Sequence, residues 1–415
     1  MKRKAYLLGD VCKFIDYRGK TPPKTNAGIP LITAKIIKHG AIQKPQEFIE
    51  ESFYDEWMRR GIPKRGDVIF TTEAPLGEVA QIKTDEKLAF AQRVIILEAD
   101  EIVLHSDYLF YALQDRILKS RIEARSSGTT VFGIKASELK KVEIDLPTME
   151  TQKKIGEVLS KIDDKIALNT AINKNLEEQA QAIYKERFFS ATGNVLSDIC
   201  SYSQERVSVE ILSPDNYFST ENMLPDKAGW EIAASLPTTS QVIKCHIGDV
   251  LVSNIRPYFK KILYCHRDSG CSNDVLCFTP KSQKLSAFLY GTLYADRFFD
   301  FMVAGAKGTK MPRGDKQQIM TYPIKMPSTE ELEAYNSLAV PMLQIIYNNT
   351  SENIRLANIR DALLQRLISG EIDVSGIEVL PNDLAKAVAD SRERHNLHGP
   401  FDSAEEAVAS MLKEG

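Results

Sequence analysis

The residues able to do covalent or metal chemistry are spaced wrongly for the familiar machinery. Gly61-x-x-x-x-Gly66 has the glycine spacing of a phosphate-binding loop, but Asp67 stands where that loop needs a lysine. Asn254-x-x-Pro257-Tyr258 grazes the proline-aromatic motif of amino-methyltransferases, yet no glycine-rich S-adenosylmethionine fingerprint precedes it. Asp85-Glu86-Lys87 offers carboxylates without a defined second acidic group, as a nuclease would need. None of the 6 histidines falls in an H-E-x-x-H pattern. Five of the 6 cysteines (Cys200, Cys245, Cys265, Cys271, Cys277) lie in the second half, two of them followed by His246 and His266. Those are zinc-type ligands, but no C-x-x-C pair is present, and structural zinc sites usually carry one. The expectation is a chain with no catalytic residues, no metal and no cofactor of its own, its cysteines buried and reduced.

At 415 residues the chain exceeds one ordinary domain. With 43% hydrophobic and 26% charged residues it has a globular composition. No run approaches the ~18 apolar residues of a membrane span, and the basic start MKRK lacks a signal-peptide core; a cytoplasmic location is expected. The net charge of −3 argues against a stand-alone nucleic-acid binder unless the charges are segregated.

The elements that must position any site are written twice. Leu8-Gly9-Asp10-Val11-Cys12 reappears as Leu196-Ser197-Asp198-Ile199-Cys200, and Gly66-Asp67-Val68-Ile69-Phe70 as Gly248-Asp249-Val250-Leu251-Val252. Ser127-Gly128-Thr129-Thr130 is echoed by Lys307-Gly308-Thr309-Lys310, and Val142 to Pro147 by Tyr322 to Pro327, both at an offset of 180. Four matches in one order define an internal repeat. Each copy ends in a long helical pattern opened by a cap, Thr148 or Ser328, the latter with Glu331 as a capping box. Apolar residues then step by four and three: Ile155, Leu159, Ile162, Ile166 in the first run, Tyr335, Ala339, Met342, Ile346 in the second. That is a coiled-coil seam, with possible bends at Gly156 and Pro341.

Asn169 and Asn349 occupy matching mid-seam positions 180 residues apart, and Asn173 and Asn353 repeat the offset. In an antiparallel pair Asn169 and Asn349 would meet at a pseudo-twofold axis and fix the register; leucine at both would raise stability and loosen register. The fold expected is α+β. Two mixed α/β globules in tandem, 1–147 and 190–327, are joined and separated by two long antiparallel coiled-coil helices, 148–189 and 328–370, related by pseudo-twofold symmetry. Each globule carries strand-like runs at Val68–Phe70, Arg93–Leu97 and Val250–Val252, and one amphipathic helix near 107–125 or 287–303. An acidic tail, 371–415, follows, with a short capped helix at Ser403–Val408.

This plan resembles the specificity subunit of type I restriction-modification enzymes over about residues 5–375. The best motif is Leu146-Pro147-x-x-Glu150-x-Gln152-x-x-Ile155, similar to the family's boundary between recognition domain and helix. Gly19-Lys20-Thr21-Pro22, Gly66-Asp67-Val68-Ile69 and Leu367-Ile368-Ser369-Gly370-Glu371-Ile372 resemble further family segments. The second copy departs, with Glu330-Glu331-Leu332 in place of Glu-x-Gln and no Gly-x-Thr-Pro turn after Cys200. The resemblance implies two target-recognition domains reading a bipartite, asymmetric sequence in double-stranded DNA, without catalysis. It implies docking of two methyltransferase subunits that use S-adenosylmethionine, then restriction subunits that use ATP and Mg2+. A helix of about 42 residues is about 63 Å long, or about 18 base pairs, so the heads would act as a caliper on DNA. The alternative is a coiled-coil scaffold whose two globules bind proteins.

DNA contact needs cations and hydrogen-bonding groups on exposed loops. In the first globule these are Arg18, Lys20, Thr21 and Lys24; Thr71, Thr72 and Glu73; Gln92 and Arg93; and Ser127 and Thr129. In the second they are Ser253, Asn254, Arg256, Tyr258, Lys260 and Lys261; Asn273 and Asp274; and Lys307, Thr309, Lys310 and Arg313. The Tyr258-Phe259-Lys260-Lys261 patch is the preferred one. Residues 1–147 hold 24 basic and 21 acidic groups, and residues 190–327 hold 15 and 13. The tail holds 4 and 10, so the acidity is the tail's and both globules are mildly basic. A margin that small implies that a partner supplies much of the grip on phosphate.

Overall fold

The computed structural model describes residues 3–19, 21–128, 132–188 and 193–374. Lys20, Thr129 and the expected Ser403–Val408 helix lie outside the described residues. The chain divides into two compact units, Met1–Leu159 with Leu364–Gly415, and Ser160–Leu363. Each is mixed α/β. Among the described residues no helix is long and apolar enough to cross a membrane.

In the first unit a four-stranded antiparallel sheet runs in the order Cys12–Asp16, Val94–Ala99, Val68–Thr72, Leu76–Gln81. The strand Val68–Thr72 is buried at every residue, which is why it reads as a run of β-branched and aromatic residues without alternation. Ile29–Ile32 lies parallel to Ala89–Phe90 and antiparallel to Phe48–Ile49. Ile15, Leu31, Ile69, Phe90 and Ile96 join these strands in one core.

The second unit repeats the plan. Its sheet runs Cys200–Tyr202, Val275–Pro280, Val250–Ser253, Ile262–Tyr264, again antiparallel throughout. Tyr217–Phe218 lies parallel to Ser269–Cys271, as its counterpart does in the first unit. The repeated Gly-Asp pair has one job in both. Gly66 and Gly248 turn the chain at positive φ, 96° and 90°. The buried Asp67 and Asp249 carboxylates then accept from the backbone N–H of Lys64 and of His246, each at 2.8 Å.

Two expectations of single helices fail for local reasons. Residues 107–125 form two helices, Ser106–Ala112 and Arg116–Glu123, because Asp115 caps a new one by accepting from Ile117 and Leu118 N–H. Residues 287–303 likewise split into Ser286–Tyr294 and Asp296–Ala304 at the extended Ala295.

The long helices run Met149–Phe188 and Thr329–Ser369, continuous through Gly156 and Pro341. Gly156 is a packing residue where a bend was expected: a Cβ there would stand 2.8 Å from Asp107 Cβ. Both caps form. Thr148 Oγ1 accepts from Thr151 N–H, and Ser328 with Glu331 closes a reciprocal box at 2.9 and 3.1 Å. Gln152 of the boundary motif is 1% exposed. Its carbonyl accepts from His105 N–H, and its amide donates to Val103 and Pro147 carbonyls. It thereby fixes the helix start to the sheet that feeds it. In the second copy Leu332, also buried, stands at that position.

Within the second unit the helices are antiparallel, tied by asparagines in an arrangement different from the one expected. Asn169 donates to Asn353 and Asn349 donates to Asn173, both at 2.9 Å. Asn173 also donates to Ile346 carbonyl and Thr350 hydroxyl, and Asn353 to Ile166 carbonyl and Thr170 hydroxyl. Each bond has a counterpart in which every residue number is displaced by 180 and the helices exchange roles. Asn169 and Asn349 therefore do not meet; each crosses to the other pair's member. Arg360 to Asp163, at 2.7 Å, continues the same antiparallel register.

Candidate nucleic-acid interface

In the first unit four separate segments converge on an open cleft of about 550 Å³. Arg18, Gly19 and Thr21 come from the end of the first sheet strand, and Thr72 and Glu73 from the end of Val68–Thr72. Gln92 and Arg93 precede Val94–Ala99, and Ser127, Gly133, Ile134 and Lys135 form the base of a loop. Backbone pairing of Ser127 with Gly133, and of Glu73 with Gly133, holds that base against the sheet.

Gln92 and Arg93 both have left-handed backbone, φ 48° and 62°. Two consecutive non-glycine residues there cost about 1–2 kcal/mol each, and such strain clusters at functional sites. The turn is held by Thr72, whose N–H and hydroxyl both donate to Arg93 carbonyl. The side chains are then set by ionic and amide contacts: Arg93 pairs with Glu73 at 3.0 Å, and Gln92 donates to Thr21 hydroxyl. Arg18 forks onto Asp16 at 2.6 and 2.8 Å. Burial by itself would raise the Asp16 carboxyl, but the Arg18 bonds outweigh it and hold it below the ordinary range. Arg18 is therefore a fixed wall of the cleft, with Gln92, Arg93, Thr21 and Lys135 as its open rim.

Two expected contacts of this globule lie elsewhere. Thr71 is fully buried, donating to Pro75 carbonyl and accepting from Glu78 N–H. Lys24 pairs with Glu47 at 2.8 Å and does not line the cleft.

In the second unit the same strand ends bring together Asn254, Asn273, Asp274, Lys307 and Arg313. Lys307 pairs with Arg313 and Ile255 with Arg313, repeating the two bridges at the base of the first loop. Asp274 holds Arg313 at 3.0 Å. Thr309 and Lys310 are exposed in this loop. Lys307 reaches back to Asp315, which caps the helix Lys316–Met320.

The preferred patch does not survive as a cationic surface. Lys260 is committed to Asp296, which Lys227 also pairs; bonds from Lys227 and Lys260 bring that carboxyl down to about 2. Lys261 donates to Thr220 carbonyl, and burial lowers its ammonium. Ser253 is turned inward onto Ile255 carbonyl. Tyr258 remains exposed, and Arg256 takes left-handed backbone with its N–H on Pro312 carbonyl.

Sequence reasoning missed Lys135 and Arg206. Arg206 donates to Asn273 at 3.0 Å, beside the Asp274–Arg313 pair. The signal was available. The Cys12/Cys200 match carried forward six residues equates Arg18 with Arg206, and the 180 offset equates Lys135 with Asp315. Among the described residues no group of three or more His, Cys, Asp or Glu is arranged to hold a metal ion. Four of the five second-unit cysteines, Cys245, Cys265, Cys271 and Cys277, sit in an apolar core with Leu251 and Leu263.

Comparison with known proteins agrees with this architecture. Residues 3–178 match the family model of the type I restriction modification DNA specificity domain. The type I restriction enzyme MjaIX specificity subunit of Methanocaldococcus jannaschii is 25% identical, over 83% of this chain and 87% of that protein. The HindI specificity subunit of Haemophilus influenzae is 26% identical over 45% of this chain and 42% of its own length. The crystal structure of the type I restriction-modification S subunit from M. genitalium shares the fold, with a TM-score of 0.56 at 16% identity, covering 88% of this chain and 96% of that one. Residues 3–178 thus carry a type I restriction modification DNA specificity domain, and over most of its length the chain is similar to type I restriction enzyme specificity subunits.

Proposed function

We propose that the chain reads a bipartite, asymmetric DNA sequence, one part with each globule, and performs no catalysis itself. The two globules act as tandem target-recognition domains on a coiled-coil helix pair of pseudo-twofold symmetry. Methyltransferase subunits dock on the helices and supply the S-adenosylmethionine chemistry; restriction subunits supply ATP and Mg2+ chemistry. One observation carries the reading: the first-unit cleft, where four sequence-distant segments present Thr21, Gln92, Arg93 and Lys135 together. These are the side-chain types that pair with base edges and phosphates, and their backbone is fixed in advance. At the matched strand ends Gln92 and Arg93 in the first globule face Asn273 and Asp274 in the second, which supports two different half-sites. The small positive charge of each globule supports a shared grip, with the methyltransferase contributing phosphate contacts. Electrophoretic shift of duplex DNA tests the reading. The full chain with its methyltransferase is expected to retard a target duplex at salt where a scrambled duplex runs free. Equal retardation of both, or of neither, would contradict it.

A further inference from the structure

Resting on that reading, we propose that the second globule reads a G·C base pair with Arg313 and Asp274, Arg313 taking the guanine and Asp274 the cytosine amino group.

Of the second globule's sequence-predicted cations, Lys260 is held by Asp296 and Lys261 by Thr220 carbonyl, and Lys307 lies on Asp315. Arg313 also has an aspartate partner, but that partner stands at a strand end. Asp274 lies in the loop entering Val275–Pro280, the counterpart of Arg93 entering Val94–Ala99 in the first cleft. The strand registers fix that equivalence: Val94 pairs with Thr71, and Val275 with Ser253. Arg313 takes the place of Gly133, with the same two bridges. The ion pair therefore sits at the strand ends that match those lining the first cleft, with the Arg313 side chain 58% exposed and Asp274 45%.

Its chemistry matches one base pair. In the major groove guanine offers two acceptors, O6 and N7, which a guanidinium fork meets together. The cytosine amino donor lies next to O6, where a carboxylate accepts it. An arginine and an aspartate 3.0 Å apart present that complement side by side. The pair is also braced. Arg313 N–H and carbonyl both bond Lys307 backbone at 2.9 Å, and Gly314 packs so tightly that a Cβ would fall 2.9 Å from Asn254 Oδ1. Beneath the loop, the side-chain Oδ1 of Asn254 and Arg256 Nε are buried with no hydrogen-bond partner, Asn254 being 7% exposed. Arg206 on Asn273 fixes the neighbouring residue of the same loop.

The test is selection of bound duplexes from a randomised library by the full chain with its methyltransferase. Wild type is expected to yield a two-part consensus with a G·C pair in one part. Arg313→Lys, which keeps charge but loses the fork, and Asp274→Asn should each lower the preference at that single position by about tenfold. Arg93→Ala should alter the other part only. A consensus unchanged in both Arg313→Lys and Asp274→Asn, with Arg93→Ala still altering its part, overturns this assignment alone. A wild type that selects no consensus overturns the DNA-reading function with it.

Discussion

Gln152 shows what the family boundary motif does at the level of one side chain. It is almost wholly buried and saturates one N–H and two carbonyls that have no other outlet. Gln152→Ala should lower unfolding stability by about 3 kcal/mol, read from urea denaturation, since each orphaned buried group costs about 1–3 kcal/mol. Asp249 makes a pH-dependent contribution. Burial is the main cause that pushes its carboxyl up to about 7, with Cys277 adding to it. A carboxyl raised in the fold stabilises below the ordinary carboxylate range and loses that contribution as pH rises through about 7. Melting temperature should therefore lose this contribution from about pH 4 up to about pH 7 and level off above it, and Asp249→Asn should flatten the fall while keeping an acceptor for His246 N–H. An identical pH profile in the variant would contradict this. Single residues were the least legible level of the sequence. Lys260 and Lys261 read as an exposed basic patch because their partners, Asp296 and Thr220, lie 36 and 41 residues away. Arg206 was overlooked although the Cys12/Cys200 match, carried forward six residues, equates it with Arg18.

At the scale of elements, periodicity and caps carried the long helices to within a residue or two of their ends, because apolar residues recurring every three or four positions and a polar cap are local signals. The Asn positions were legible too, but their partners were not. Spacing placed Asn169 and Asn349 at one level, and only geometry shows that each bonds the other pair's member. The consequence reverses a stability expectation. Asn169→Leu with Asn349→Leu leaves the amides of Asn353 and Asn173 facing leucine, so the double variant should melt lower than wild type. Leucine at all four positions removes the mismatch and should recover much of the loss. A double variant more stable than wild type would refute the crossed bonding. The divided helices at Asp115 and Ala295 were missed because the apolar spacing continues across each break; a cap inside an amphipathic run is a weak signal against that background.

On the whole-molecule scale, the repeat was the most legible feature, because four matches in the same order at a nearly constant offset survive the divergence around them. It preserved sheet order and loop bridges while most rim side chains changed, so the sites themselves were hidden: they are assembled from loops that share little beyond Arg18 with Arg206 and the Gly-Thr pairs at 128–129 and 308–309. Charge segregation fits the same plan, with two mildly basic globules and an acidic tail. Lys260→Ala with Lys261→Ala should therefore leave sequence preference unchanged while lowering stability, as read by library selection and thermal melting. The central claim, two different globules reading two different half-sites, is tested most directly by sequencing methylated adenines in cells that express the chain with its methyltransferase, before and after exchange of residues 190–327 for those of a relative. The account predicts one asymmetric two-part motif of which a single part changes on exchange. A motif unaltered by the exchange, or altered in both parts, would contradict it.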